Sequence, residues 1–455
     1  MAVGCLGILV LLALAGCLSF WLYFHSRDQQ ALRDIQDEVE RIHAAGEPIT
    51  PEDMAQVHRV PEGESDSTEL WLKAARLAKS VESMEKLLLE SGEPPGDTID
   101  GRDSGNVWQA IDQFLAENHA AVAAGLVAAD AGGVVRFPMN WERGISDRLE
   151  HVEGLVRLAR IFALRHRVAV ARGRWEEASQ SLEVMLAIAR SAEREAIVVG
   201  QLVRNKVLHD YFTELTTGLV KRNDTDAQLE AIQKTLSRLD FHDGLKLSLL
   251  GDRVCGFVAF KDPSTLRDNL KNADSLPRGI DSALGRPADC RFYLQTMRDL
   301  IEAADLPLAE GRLRALKIKA DTDSVVYEGP IWQRMYKRFS AELVGALPFV
   351  FNGFAGIQSR RDCAVCILAL RRHHLKYRKL PENLDALVPE FLPAVPRDLL
   401  ANDGAPLRFV VAGGVVTVYS VGLDGVDDLG NEVESDAMQG DIALVLRIGD
   451  SKEEH

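Results

Sequence analysis

The opening stretch constrains this chain more than any other feature. From Ala2 to Phe24 it reads AVGCLGILVLLALAGCLSFWLYF, with no charged side chain. These 23 residues, rising ~1.5 Å each, make a helix of roughly 34 Å, enough to cross a hydrocarbon layer of about 30 Å. Trp21 and Tyr23 lie at one end, where amphipathic rings favour the membrane interface. A cleaved signal peptide has a basic leader and a shorter apolar core, and none of the first five residues is basic. Residues 1–25 are therefore expected to be an uncleaved transmembrane anchor, in contact with lipid through 2–24. Leu14-Ala15-Gly16-Cys17 also matches a lipobox, whose cysteine is acylated after cleavage. A mature lipoprotein normally turns polar at once, whereas Leu18 to Phe24 stays apolar. The basic residues nearest the span, Arg27, Arg33 and Arg41, all follow it, which by the positive-inside rule places the bulk in the cytoplasm.

Beyond the anchor the composition is that of a globular protein, 46% hydrophobic and 27% charged over 455 residues. Two or three domains suit this length. A net charge of -15 argues against nucleic acid as a partner, because phosphate neutralisation needs surplus Lys and Arg. Six scattered cysteines do not make a disulfide framework. The charge is concentrated: residues 421–455 hold ten Asp or Glu against Arg447 and Lys452.

Residues 26–44 carry Leu32, Ile35, Val39 and Ile42 as a narrow helical stripe, suited to packing on a neighbouring helix or on a second copy. Thr50 is placed as an N-cap, with Pro51 at the first helical position and Asp53 at the third. A further helix is expected around 70–89, and the Gly, Pro, Ser and Asp of 91–105 read as a loop. From 106 to 350 helical periodicity dominates: Leu155, Ala159, Phe162 and His166 share one face, Leu208, Phe212, Leu215 and Leu219 another. Between two such stripes, Ala171-Arg172-Gly173-Arg174-Trp175-Glu176-Glu177-Ala178 resembles the inter-helix turn of a tetratricopeptide unit. One unit is fewer than the three or so a solenoid needs. A helix at 355–378 precedes two β-prone runs, Phe409–Val411 and Val415–Tyr419, around Gly413-Gly414, with a third strand expected at Ile442–Ile448.

Three constellations bear on chemistry. Cys363 and Cys366, with His373 and His374 downstream, suggest zinc, but seven residues along a helix separate side chains by about 10 Å, too far to share a metal. Small buried cysteines are the plainer expectation. His209-Asp210 and His242-Asp243 are shared with helical metal-dependent HD phosphohydrolases, with His166 or His151 as the further ligand. Such dipeptides are near chance frequency in a chain with 11 His. No phosphate-binding loop, dinucleotide fingerprint or nucleophile elbow occurs.

The run His374-Leu375-Lys376-Tyr377-Arg378-Lys379-Leu380-Pro381, then Phe391-Leu392-Pro393, Pro406-Leu407-Arg408-Phe409 and Tyr419-Ser420-Val421-Gly422-Leu423-Asp424-Gly425, resembles the C-terminal region of the major pseudopilins of type II secretion. The resemblance covers about 80 residues of 455. A prepilin processing motif is missing, and Asp398-Leu399-Leu400-Ala401-Asn402-Asp403-Gly404 stands where that family has Asp-Pro-Trp-Gly-Asn. The layout as a whole is similar to uncharacterised membrane-anchored bacterial proteins carrying the same module. The resemblance implies a small α+β fold, an extracytoplasmic location and Ca²⁺ in the final loop, with Asp424 and Asp441 at ligand-like positions and Asp427, Asp428 and Asp436 as further candidates. A solvated acidic turn is the alternative.

The sequence thus predicts a mainly α protein: anchor 1–25, juxtamembrane helices and loop 26–105, a helical domain 106–350, and a pseudopilin-like α+β module with an antiparallel sheet, 351–455. The expected role is a single-pass, non-enzymatic envelope protein with protein partners. The competing one is an HD-type hydrolase.

Overall fold

The computed structural model describes residues 2–84, 86, 104–147, 149–219, 224–261, 287–329, 337–401, 403–432 and 439–447. The chain is mainly helical with one small sheet near its C-terminus. Its first helix, α1 (Ala2–Ala44), is continuous, ~65 Å long at 1.5 Å per residue. Three of the four stripe residues read from the sequence find a partner within the chain, while Leu32 is 47% exposed and the neighbouring Ala31 is buried instead. Ala31 and Ile42 are buried and Ile35 and Val39 packed against the core, where α1 lies along α11 (Pro287–Ala304). Asp34 receives Arg291 at 2.6 Å and Glu38 receives Arg298 at 3.1 Å.

After α1 the chain turns at Gly46 and is locked down by a buried arginine. Arg253, 1% exposed, donates to Glu47 (2.7 Å) and to the Pro48 carbonyl (2.7 Å). Helix α2 (Pro51–Val57) begins with the expected cap: Thr50 Oγ1 accepts the Asp53 amide and Asp53 Oδ2 accepts the Thr50 amide. This reciprocal pair satisfies two otherwise unpaired donors.

Helices α3 (Thr68–Leu77), α4 (Ser104–Glu117) and α5 (His119–Ala131) follow. The helix expected at 70–89 is broken after Leu77, where Ala78 turns to extended backbone, and helix resumes at 82–84; residues 104–105 of the expected loop already belong to α4. The rest of that loop, 91–103, lies outside the described residues. Helices α6 (Glu150–Ala171) and α7 (Trp175–Ser191) form the expected hairpin: Arg165 Nη1 donates to Ser181 Oγ (2.7 Å), and His166 Nδ1 faces the Ala178 carbonyl (3.0 Å). Helix α8 (Val198–Leu219) packs on both, and α9 (Asp226–Ser237) and α10 (His242–Lys261) follow. Helix α11 then joins α10 to α12 (Leu308–Asp323).

After the short α13 (Arg338–Val344), α14 (Leu347–Tyr377) forms the centre of the C-terminal half. It packs on α8, α9 and α12 and against the sheet, so every residue from Cys363 to Leu370 is buried. A helix surrounded on all sides has no polar face, which is why its sequence reads as a membrane span. By length and composition Phe339–Tyr377 is long and apolar enough to cross a bilayer. That segment is mid-chain rather than N-terminal, and its buried Arg360 and Arg372 are paired to Glu432 and Asp226. The helix expected at 355 begins at Leu347, so the 350/351 boundary falls inside it. One hydrophobic core runs from Ile42 to Leu446 through both sides of that boundary.

The sheet is antiparallel, in the order β1 (Arg408–Ala412), β2 (Val415–Ser420), β3 (Ile442–Arg447). Ala412 pairs with Val415 and Ser420 with Ile442. Gly413 and Gly414 both have positive φ (57° and 76°), the conformation a two-residue hairpin turn requires. Val416, Val418, Leu444 and Leu446 are buried, while the intervening Val445 is 40% exposed, the alternation of a one-sided sheet.

Candidate functional site

The acidic segment between β2 and β3 folds around two carboxylates. The first, Asp398, is 2% exposed and collects four donors. Its Oδ1 accepts the Leu400 amide (3.0 Å) and the Ser420 hydroxyl (2.6 Å), and its Oδ2 the Val421 amide (3.0 Å) and Arg408 Nη1 (3.2 Å). It fastens the approach to β1 onto the end of β2. The second, Asp441, is 3% exposed. Its Oδ2 accepts the amides of Asp428 (3.1 Å) and Gly430 (2.7 Å), whereas its Oδ1 is buried without a hydrogen bond. Burial pushes this carboxyl above the usual carboxylate range, and the charges of Asp427 and Asp428 push the same way. Gly422, at φ 68°, lies so close to the Gly440 carbonyl that a Cβ would overlap it, so this loop closure demands glycine.

The other predicted ligands surround the same loop with their carboxylates partly committed. Asp424 accepts the amides of Val426 (3.1 Å) and Gly440 (3.1 Å). Asp427 takes the Tyr419 hydroxyl (3.1 Å), the Leu429 amide (3.1 Å) and Arg408 Nε (3.0 Å). Tyr419 is pushed up to about 12 by burial and by that carboxylate. The Asp428 carbonyl accepts the Asn431 side chain (2.6 Å). Asp436 lies outside the described residues. Among the described residues no three His, Cys, Asp or Glu side chains gather as a metal set. The oxygens left for a cation here are the buried Asp441 Oδ1 and the Asp428 carboxylate, whose side chain makes no hydrogen bond within the loop among the described residues. A hard cation would need to complete six to eight ligands mainly from loop carbonyls and water.

The remaining candidates lie elsewhere. Cys363 and Cys366 are buried free thiols, Cys363 Sγ facing the Ile442 carbonyl at 3.9 Å, and burial raises both well above the ordinary thiol value. His373 turns away from them, to the Lys379 carbonyl (3.1 Å) and the rings of Tyr377 and Phe391. Burial, then the charges of Arg360 and Lys206, lower His209 to about 3, while Asp210 pairs with Lys206 at 2.6 Å. His242 and Asp243 open α10, both amides bonding to Asp240. His166 sits between the carbonyls of Ala178 and Glu214. Compared with family models, curated proteins and solved structures, the chain matches none.

Two groupings were not legible in the sequence. His151 and Glu195, both buried, meet at 3.4 Å, with Phe137 stacked on the imidazole at 4.5 Å. Arg136, Arg190 and Arg194 line a cavity of about 420 Å³ beside α5 and α7. Neither follows a motif, since the partners come from separate elements with no fixed spacing.

Proposed function

We propose that the chain is a membrane-anchored, non-enzymatic cell-envelope protein. Its helical body binds protein partners, and its C-terminal helix-and-sheet unit is pseudopilin-like. The observation that supports this most is the continuity of α1. The helix containing the uncharged segment 2–24 runs without a break into a half clamped on α11 by Asp34–Arg291 and Glu38–Arg298. A tether built this way fixes the body relative to the bilayer instead of leaving it on a flexible leash. The module reading is supported by a long helix, a turn, a three-stranded sheet and an acidic closing loop in the order that family shows. An extracytoplasmic location comes from that likeness, against the basic residues that follow the span.

Calcium in the closing loop belongs to the same reading and rests on Asp441 Oδ1. Full-length protein in detergent, melted with millimolar Ca²⁺ or Mg²⁺, tests it. A rise in melting temperature specific to Ca²⁺ and lost in Asp441→Asn is expected. No rise with Ca²⁺ removes calcium from the proposal. For location, a reporter active only in the periplasm and fused after His455 should be active; activity of a cytoplasm-only reporter there overturns the envelope assignment.

A further inference from the structure

We propose that the cavity between α5, α7 and the segment 132–136 is a binding site for a small organic phosphate, a phosphomonoester dianion carrying an apolar group. The cavity, about 420 Å³, is within the range of ligand pockets, about 300–1,000 Å³. Its apolar wall comes from Trp71, Ala128, Ala129 and Ala187, and its charge from Arg136, Arg190 and Arg194. Three arginines line it in a protein of net charge -15, and the charges of Arg136 and Arg194 act on each other.

The local charges do not cancel them. Among the described residues, the sole ion pair made by any of the three is Arg194 with Asp243, at 4.0 Å, and that aspartate is 73% exposed. Glu193 also lines the cavity but lies 3.5 Å from Arg204, whose side chain is 1% exposed. Asp66, whose field reaches Arg136, is turned to the Thr68 amide (2.8 Å) at the start of α3. The last turns of α5 and α7 both reach the cavity wall, and each helix end adds about half a negative charge. Three positive charges, less about one for the two helix ends and the part that the exposed Asp243 offsets, leave a positive surplus suited to a phosphate. Burial, and then the Arg194 charge, lower Arg136, with the Asp66 charge opposing them. Guanidiniums bind phosphate through paired N–H donors, and the apolar wall accepts whatever the phosphate is esterified to.

The site needs no reaction and is independent of where the protein resides. Titration calorimetry on the full-length protein in detergent, with phenyl phosphate, benzoate, phenol and inorganic phosphate as probes, tests it. Phenyl phosphate should bind at least tenfold more tightly than each of the others, and more tightly at pH 7.5 than at pH 5, where the phosphate loses its second charge (pKa about 6). Arg136→Gln and Arg194→Gln should each weaken it tenfold or more, Arg194→Lys less, and Arg143→Gln, an exposed arginine outside the cavity, not at all. Should a Gln variant melt early, Arg194→Lys with a wild-type melt carries the comparison. The proposal is overturned by no heat at millimolar phenyl phosphate, by equal affinity for all the anions, or by binding that survives Arg136→Gln and Arg194→Gln together.

Discussion

Replacing Asp398 by alanine should damage the C-terminal half more than its distance from any candidate ligand suggests. Its carboxylate holds four donors at 2.6–3.2 Å, three of them, the Leu400 and Val421 amides and the Ser420 hydroxyl, in fully buried contacts. A hydrogen bond to a charged group contributes about 1.5–3 kcal/mol net, and a buried donor left without a partner costs about 1–3 kcal/mol. Because the four share one acceptor they do not simply add. Arg408, moreover, keeps Asp427 at 3.0 Å as a second partner. Three stranded donors at the low end, with a small contribution from Arg408, give a loss of about 4 kcal/mol for Asp398→Ala. Asp398→Asn keeps the volume but turns an N–H toward a donor, for a loss of about 2–3 kcal/mol. Domains have about 5–15 kcal/mol in all, so the alanine variant approaches the unfolding threshold. Urea denaturation and hydrogen exchange at the Val421 amide read both effects. Asp403→Ala, which removes a single exposed cap on the Ala405 amide (3.0 Å), is the control and should lose under 1 kcal/mol. If Asp398→Ala loses no more than Asp403→Ala, the hub assigned to Asp398 does not exist.

Three further outcomes follow from buried charges. Glu47→Gln leaves Arg253 with a neutral partner and should cost about 2–3 kcal/mol in chemical denaturation while exposing 44–50 to proteolysis. Asp252 is raised to about 7 by burial, against about 3.8 when unfolded. The folded state therefore holds an extra proton between those values, and its stability falls as pH rises from about 4 to 7. Asp252→Asn should accordingly melt higher than wild type at pH 8 and lose that advantage by pH 4. His209 has the opposite sign: lowered to about 3, it stays neutral when the unfolded chain protonates, so its contribution to stability is lost as pH falls from 6.5 toward 3. Its imidazole NMR signals should show no titration above pH 4.

Local signals were legible and long-range ones were not. The Thr50 cap, the Gly413-Gly414 hairpin, the hinge at Gly173 and the stripe of α1 each depend on residues within a few positions, and the structure has them as expected except for Leu32 of the stripe, which is exposed. The start of α14 was missed because it is buried on all sides and so shows no amphipathic period to mark where it begins. The same property makes its sequence resemble a membrane span. Contacts such as Arg253 with Glu47, Arg360 with Glu432 or Arg136 beside Arg194 link positions far apart in the chain, and spacing carries no trace of them. In the acidic loop the candidate residues were found by composition and likeness. That Asp441, and not the more exposed Asp424, holds the uncommitted buried oxygen is a matter of burial, visible only in three dimensions.

The tether is the central claim, and fractionation tests it most directly. Cells expressing the full-length chain, and a version lacking 2–24, are lysed without detergent and the membranes washed in alkaline carbonate. The full-length protein should stay in the pellet until detergent is added, and the shortened one should appear in the supernatant, folded by its melting curve. Full-length protein in the supernatant contradicts the claim, as does a shortened chain that remains in carbonate-washed membranes.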